Sequence, residues 1–187
     1  MSTDNSAKIC LGQLQVNAKG AKQVPIFLEN GNSLFLQFGP LAPCFEPSAF
    51  NDPSATRVNI CLSVNELLEQ ELQTLDAKVV ESLAADSLKL FGQEQTAAQL
   101  LDRMHSSLRV SEKGFKSWRL KMNLSGRNRV QIFDMEKNAI SPPENWVGCG
   151  VTVRVLVKSV WMMAKEWGVL YEAQAVQVQT CSVECPF

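Results

Sequence analysis

Lys116, Arg119, Lys121, Arg127, Arg129, Arg154 and Lys158 fall among the aromatic residues Phe115, Trp118, Phe133, Trp161 and Trp167. Cationic side chains on neighbouring strands can track phosphates, and flat rings can stack on bases at roughly 1–3 kcal/mol each. Together they suit a single-stranded polynucleotide held without reading its sequence. Trp118, Leu120, Met122 and Leu124 alternate with Arg119, Lys121 and Asn123, so a strand here is apolar on one face and basic on the other. That parity sends Trp118 into the core. Phe115 and Phe133 are left as the better stacking candidates, while Trp161 and Trp167 fit either side. A solvated strand face with compensating acids nearby would use the same residues.

The formal net charge of the 187 residues is only −1. The distribution is uneven. Residues 64–100 hold seven acids against Lys78 and Lys89, whereas residues 101–137 hold nine bases against four acids. Between Lys113 and Arg129 there are six bases and no acid. Phosphate binding depends on local charge density, so a near-neutral chain with one basic segment can still bind a polyanion.

Other chemistries lack their residues. His105, the only histidine, falls in an expected helix and has no partner set for acid–base work or a catalytic triad. Cys181 and Cys185 are spaced C-x-x-x-C without a second ligand pair, so no metal is expected. Gly148-Cys-Gly150 lacks the rest of a dinucleotide fingerprint, and no lysine follows a glycine loop as in a phosphate-binding P-loop. No cofactor and no catalysis are expected. No apolar stretch approaches a membrane span, and the polar start Met1–Ser6 does not read as a signal peptide. The scattered cysteines then read as reduced thiols of a cytosolic or nuclear protein.

The elements that must position the basic residues are mostly strands. Apolar density predicts strands over 8–16, 23–28, 33–38 and 57–63, with Asn30-Gly31 signalling a hairpin between the second and third. Four prolines over 39–56 predict a long surface loop. Leu67, Leu68, Leu72, Leu75, Val79, Val80 and Leu83 recur at helical spacing, and a second helix is expected from Thr96 to Leu108. These helices cover the β structure and need not touch a ligand. Strands follow at 118–124 and 130–134, joined by a turn at 125–129. Val151, Val153, Val155 and Val157 then point one way, with Arg154 and Lys158 the other. A reversal ending at Gly168 leads to a last strand, 169–179. Short strands with helices inserted read as one small β-barrel or sandwich decorated by helices.

Leu75-Asp76, Leu90-Phe-Gly92, Gln131-Ile-Phe-Asp134, the run from Gly150 to Gly168 and Gln174–Val178 carry a resemblance over about residues 60–179. In this pattern the chain resembles the OB-fold single-stranded DNA-binding proteins of large DNA viruses of algae and protists, themselves similar to a phage replication protein. The Trp161-x(5)-Trp167-Gly168 hairpin is its most specific part. The resemblance implies an α+β, mainly β chain: an OB-like barrel over 1–179, with a helical insertion at about 65–108 and a tail at 180–187. It also implies non-catalytic, sequence-tolerant coating of single-stranded DNA, with RNA as a further ligand, and a homodimer. The setting would be intracellular, at a site of viral or cellular DNA replication, nucleus or cytoplasm left open. The tail, with Glu184, Pro186 and Phe187, resembles the Pro-Phe tip by which bacterial single-stranded DNA-binding proteins dock on replication partners, although the preceding acidic run is missing. The alternative is a structural or adaptor protein that binds partners through exposed edges and this tail.

Overall fold

The computed structural model describes residues 8–17, 20–49, 52 and 54–180; the tail residues Glu184, Pro186 and Phe187, with Cys181 and Cys185, lie outside them. The chain is mainly β with a helical insertion, and it divides into two compact units. The first comprises the described residues through Phe35, Asn65–Ser107 and Leu156–Tyr171. The second comprises Leu36–Val64, Leu108–Val155 and the residues from Glu172 on. Two long strands, β9 (Cys149–Met162) and β10 (Trp167–Thr180), contribute to both.

In the first unit, β3 (Lys22–Leu28) pairs along one edge with β1 (Ile9–Leu11) and β2 (Gln15–Val16). Its other edge pairs with the C-terminal part of β9. Both edges are therefore occupied. This is why the Asn30-Gly31 turn, although formed, does not close the expected hairpin: the following strand, β4 (Leu34–Leu41), pairs with β9 instead.

Helix α1 (Glu66–Ala85) starts at Asn65, whose Oδ1 accepts from the Leu68 N–H at 2.9 Å, with Glu66 and Glu69 in the first turn. It buries Leu68, Leu72, Leu75, Val79, Val80 and Leu83, while Leu67 is exposed. The short α2 (Ser87–Phe91) ends at Gly92 in the left-handed region. Helix α3 (Ala97–Asp102) opens with a capping box between Thr96 and Gln99. It ends six residues before the expected Leu108, because strand β10 takes over the backbone partners. The Trp167 N–H donates to Arg103 O at 3.1 Å, and the His105 N–H donates to Trp167 O. His105 is thus outside any helix; its Nδ1 lies 3.5 Å from Glu166 Oε2 and its ring 5.7 Å from that of Trp161.

The chain reverses at Met163–Glu166, and Gly168 lies inside β10. The glycine is needed for close approach: a Cβ there would stand 2.6 Å from His105 O and 2.8 Å from the Trp161 ring. Arg103 holds the reversal by donating to Lys165 O and Ala164 O at 3.2 and 3.1 Å.

In the second unit, β7 (Lys116–Asn123) is central. It pairs antiparallel with β5 (Arg57–Ser63) along its whole length and with β6 (Leu108–Val110) at its start. Its far end pairs parallel with β10, and β8 (Gln131–Phe133) also pairs parallel with β10. The expected return of β8 along β7 shrinks to one bond, from the Val130 N–H to Asn123 O at 2.8 Å, since both edges of β7 are taken. Val58, Ile60, Leu62, Trp118, Leu120, Met122, Ile132, Val151, Val153, Val155, Ala173 and Val176 form the core. Trp118 meets Phe38 edge-on at 5.6 Å.

The proline-rich segment is less free than a surface loop. Residues 42–48 bond to β5 through Cys44 N–H to Cys61 O and reciprocal bonds between Ser48 and Asn59. Along β10, Ala173 and Val176 are both fully buried although three residues apart. Strict alternation slips by one residue there, where β10 exchanges β7 for β8 as its partner.

Candidate nucleic-acid interface

The outward row of β7 carries Arg119 and Lys121, as its alternation requires, with Trp118, Leu120 and Met122 facing the core. Lys116 belongs to the parity of Trp118, so it does not share that row. Cross-strand register puts Asn59 beside Lys121 and Cys61 beside Arg119 on one side, and Glu172 beside Lys121 on the other. Lys121 is half-buried. Burial, then the neighbouring Arg57 and Arg119 guanidiniums, lower the pKa of its ammonium from the ordinary value.

Phe133, at the end of β8, lines two shallow depressions on the same outward face. One, of about 480 Å³, is shared with Arg127 and Arg129 of the turn after β7, with Gln131 and with Ile140. The other, of about 330 Å³, is shared with Gln37 of β4, Thr152 and Arg154 of β9, Gln177 of β10, and Lys137. Phe133 is half-buried, so its ring is supported by the sheet while part of it stays open. Arg127, Arg129, Lys137 and Arg154 are exposed. Four cations therefore surround one ring.

The loop after β8 is firmly built. Asp134 Oδ1 accepts from the Asn138 N–H at 2.8 Å, and Asp134 O accepts from Gln177 Nε2 at 3.1 Å. The loop turns at Lys137, the only non-glycine described residue in the left-handed region, at φ 67°. Such a conformation costs a side chain roughly 1–2 kcal/mol, and here it sets a cation at the rim of the depression. Sequence reading missed Lys137, Gln37, Thr152 and Gln177; only the fold brings them to Phe133.

Besides Lys116, two expected residues stand elsewhere. Phe115 is 51% exposed at the β6–β7 hairpin, beside exposed Val110, where its N–H donates to Ser111 Oγ at 3.0 Å. Six residues separate it from Lys121 and a further five separate Glu172 from Gln177, so Phe115 and Phe133 are about 36 Å apart along the strand direction. They do not form one stacking platform. Lys158 belongs to the first unit, half-buried and outside both depressions. Of the undecided tryptophans, Trp167 is buried, with Nε1 donating to Leu100 O at 2.8 Å, and Trp161 is half-buried.

Among the described residues no cluster of three His, Cys, Asp or Glu could hold a metal, and no helix is long and apolar enough to cross a membrane. No family model matches the sequence, and no curated protein matches it. Among solved structures the chain is similar to gp2.5, a single-stranded DNA-binding protein encoded by bacteriophage T7: TM-score 0.55, 13% identity, 81% of this chain and 88% of that one. It is also similar to the single-stranded DNA-binding protein from bacteriophage Enc34 in complex with ssDNA: TM-score 0.49, 10% identity, 91% of this chain and 96% of that one. The gp2.5 likeness carries the fold, mainly β and OB-like with inserted helices.

Proposed function

We propose that this protein binds single-stranded DNA without catalysis and with little sequence preference, through the outward face of the second unit. The observation that supports this best is the half-open Phe133 ring set between Arg127 and Arg129 on one side and Lys137 and Arg154 on the other. A ring with cations on both sides offers a base its stacking partner and the adjoining phosphates their countercharge. The same fold serves gp2.5, which is named as a single-stranded DNA-binding protein. On this reading the chain coats DNA during replication, recombination or repair, as the resemblance to proteins of large DNA viruses implies. RNA would be a further ligand of the same face and a homodimer a further state, with Glu184, Pro186 and Phe187 a docking tail for replication proteins.

The experiment is anisotropy of a labelled oligo-dT strand of roughly 30 nucleotides at two salt concentrations, with duplex as competitor. Single strands should be preferred and salt should weaken binding. Phe133→Ala should cost roughly 1–3 kcal/mol of affinity while leaving the melting temperature near that of wild type. Absence of binding at low salt would sink the reading and turn attention to a protein-binding role for the tail.

A further inference from the structure

Arg57 on β5 and Glu172 on β10 stand on opposite sides of β7, so about 10 Å of sheet separates their backbones. Nevertheless Arg57 Nη2 lies 3.6 Å from Glu172 Oε2. The arginine side chain therefore reaches across β7, between Lys121 and Asn123, and its guanidinium comes to rest beside Lys121. Arg119 is next along the same outward row. Arg57 pairs with the carboxylate, which is 1% exposed whereas Arg57 is 47% exposed, and Lys121 and Arg119 follow beside it on the outward row. Gln174 Nε2 also donates to Glu172, at 3.0 Å. The carboxylate is thus covered although Glu172 belongs to the outward row, while the side chains of Arg57 and Arg119 stay open to solvent. Like charges packed on adjacent strands oppose folding unless a further anion joins them. The lowered pKa of the Lys121 ammonium, caused by burial and then by Arg57 and Arg119, reports the same crowding.

We infer that Arg57, Arg119 and Lys121 form a binding site for one backbone phosphodiester, with Arg57 held across β7 by the buried Glu172. This deepens the single-stranded DNA reading and rests on it. It adds a residue, Arg57, that neither charge runs nor alternation singles out. It also adds a distance. Five residues separate Glu172 from Gln177 along β10, so the cluster lies about 16 Å from the Phe133 depressions in the strand direction. A nucleotide strand rises at least about 3.4 Å per residue, so three to five nucleotides, roughly, bridge the two stations. One bound strand can occupy both.

The test is titration of labelled dT20 across a salt series with the wild type, Arg57→Gln, Arg57→Lys and, as a charge-loss control, Lys89→Gln at an exposed position of α2. Arg57→Gln should bind about 5- to 20-fold more weakly, and its plot of log affinity against log salt should be shallower by about 0.7. Arg57→Lys should restore the slope but only part of the affinity, because an ammonium lacks the fork that takes two phosphate oxygens. Lys89→Gln should match the wild type. If Arg57→Gln does not fold, Arg119→Gln reads the same change in slope. An Arg57→Gln protein with unchanged slope, whatever its affinity, would overturn the phosphate assignment and leave the Phe133 interface standing. Failure of the wild type to bind at all would overturn both.

Discussion

Asp76 shows how a single side chain can set a pH limit on this fold. It sits on the α1 face that packs in the first unit, and its Oδ1 accepts from Tyr171 Oη at 3.4 Å. Burial raises its pKa from 3.8 to about 7, and the hydrogen bond from Tyr171 only partly opposes that shift. Below about pH 4 the carboxyl is protonated in the folded and unfolded chain alike, so it contributes no pH dependence. Between about 4 and 7 the unfolded chain ionises while the folded one keeps its proton, and stability falls as pH rises; above 7 the loss is complete. Asp76→Asn, which keeps an acceptor for Tyr171, should flatten this slope. It should also stabilise the protein at pH 8 by roughly 2–4 kcal/mol, read from urea midpoints at pH 5 and 8. Equal pH dependence in both proteins would exclude Asp76 as the cause. At this scale the sequence is a good guide to faces. Alternation alone places Trp118 inside and Arg119 and Lys121 outside, because a strand's period of two is local. It does not show Asp76 meeting Tyr171 across 95 residues, since that contact belongs to packing.

At the scale of elements, the hairpin closing β9 onto β10 is held by tight backbone approach and by one arginine. A methyl group at 168 would meet His105 O and the Trp161 ring inside 3 Å, so Gly168→Ala must push apart β10 and the segment after α3. Thermal denaturation should show a loss of roughly 1–3 kcal/mol for Gly168→Ala. Gly20→Ala would be a poor control, because φ is +78° there; Ala164→Gly in the exposed turn tests general sensitivity instead. A Gly168→Ala midpoint equal to wild type would mean that the hairpin relaxes freely. Elements are also where sequence reading goes astray. The Asn30-Gly31 turn and the 125–129 turn both form, yet neither joins paired strands, because edge occupancy is decided by strands distant in sequence. Likewise the apolar spacing through Met104 and Leu108 continues helically past Asp102. The chain leaves the helix because Trp167 supplies extended partners to Arg103 and His105.

For the molecule as a whole, net charge is a poor predictor of the ligand. The formal charge is −1, with the acids concentrated in the helical segment and the bases in the β segment that follows. Affinity for single strands should therefore track salt according to the local count of cations around Phe133 and Lys121. It should change little when acids on α1 are neutralised. Glu69→Gln and Glu81→Gln together raise the net charge by two, yet the slope of log affinity against log salt should stay within about 0.3 of wild type. A steeper slope would show that the far field, not the local face, governs binding. The separation of Phe115 from Phe133 belongs to this scale too. Both are legible as stacking candidates, but only sheet register reveals that about 36 Å along the strand direction lies between them.

The one-residue slip in β10 between Ala173 and Val176 divides this strand into two segments of opposite phase. Before the slip, even-numbered positions face outward; after it, odd-numbered ones do. The strand behaves like a crystal row with a single dislocation, on either side of which the lattice is perfect but displaced. Its position is informative, because the defect falls between the residues beside Lys121 and those beside Phe133. Deleting Ala175 would heal the dislocation, leaving Val176 inward and Gln177 outward in one unbroken alternation with Ala173. The defect thus lets Ala173 and Val176 both reach the core while Glu172, beside Lys121, and Gln177, beside Phe133, keep to the outward row.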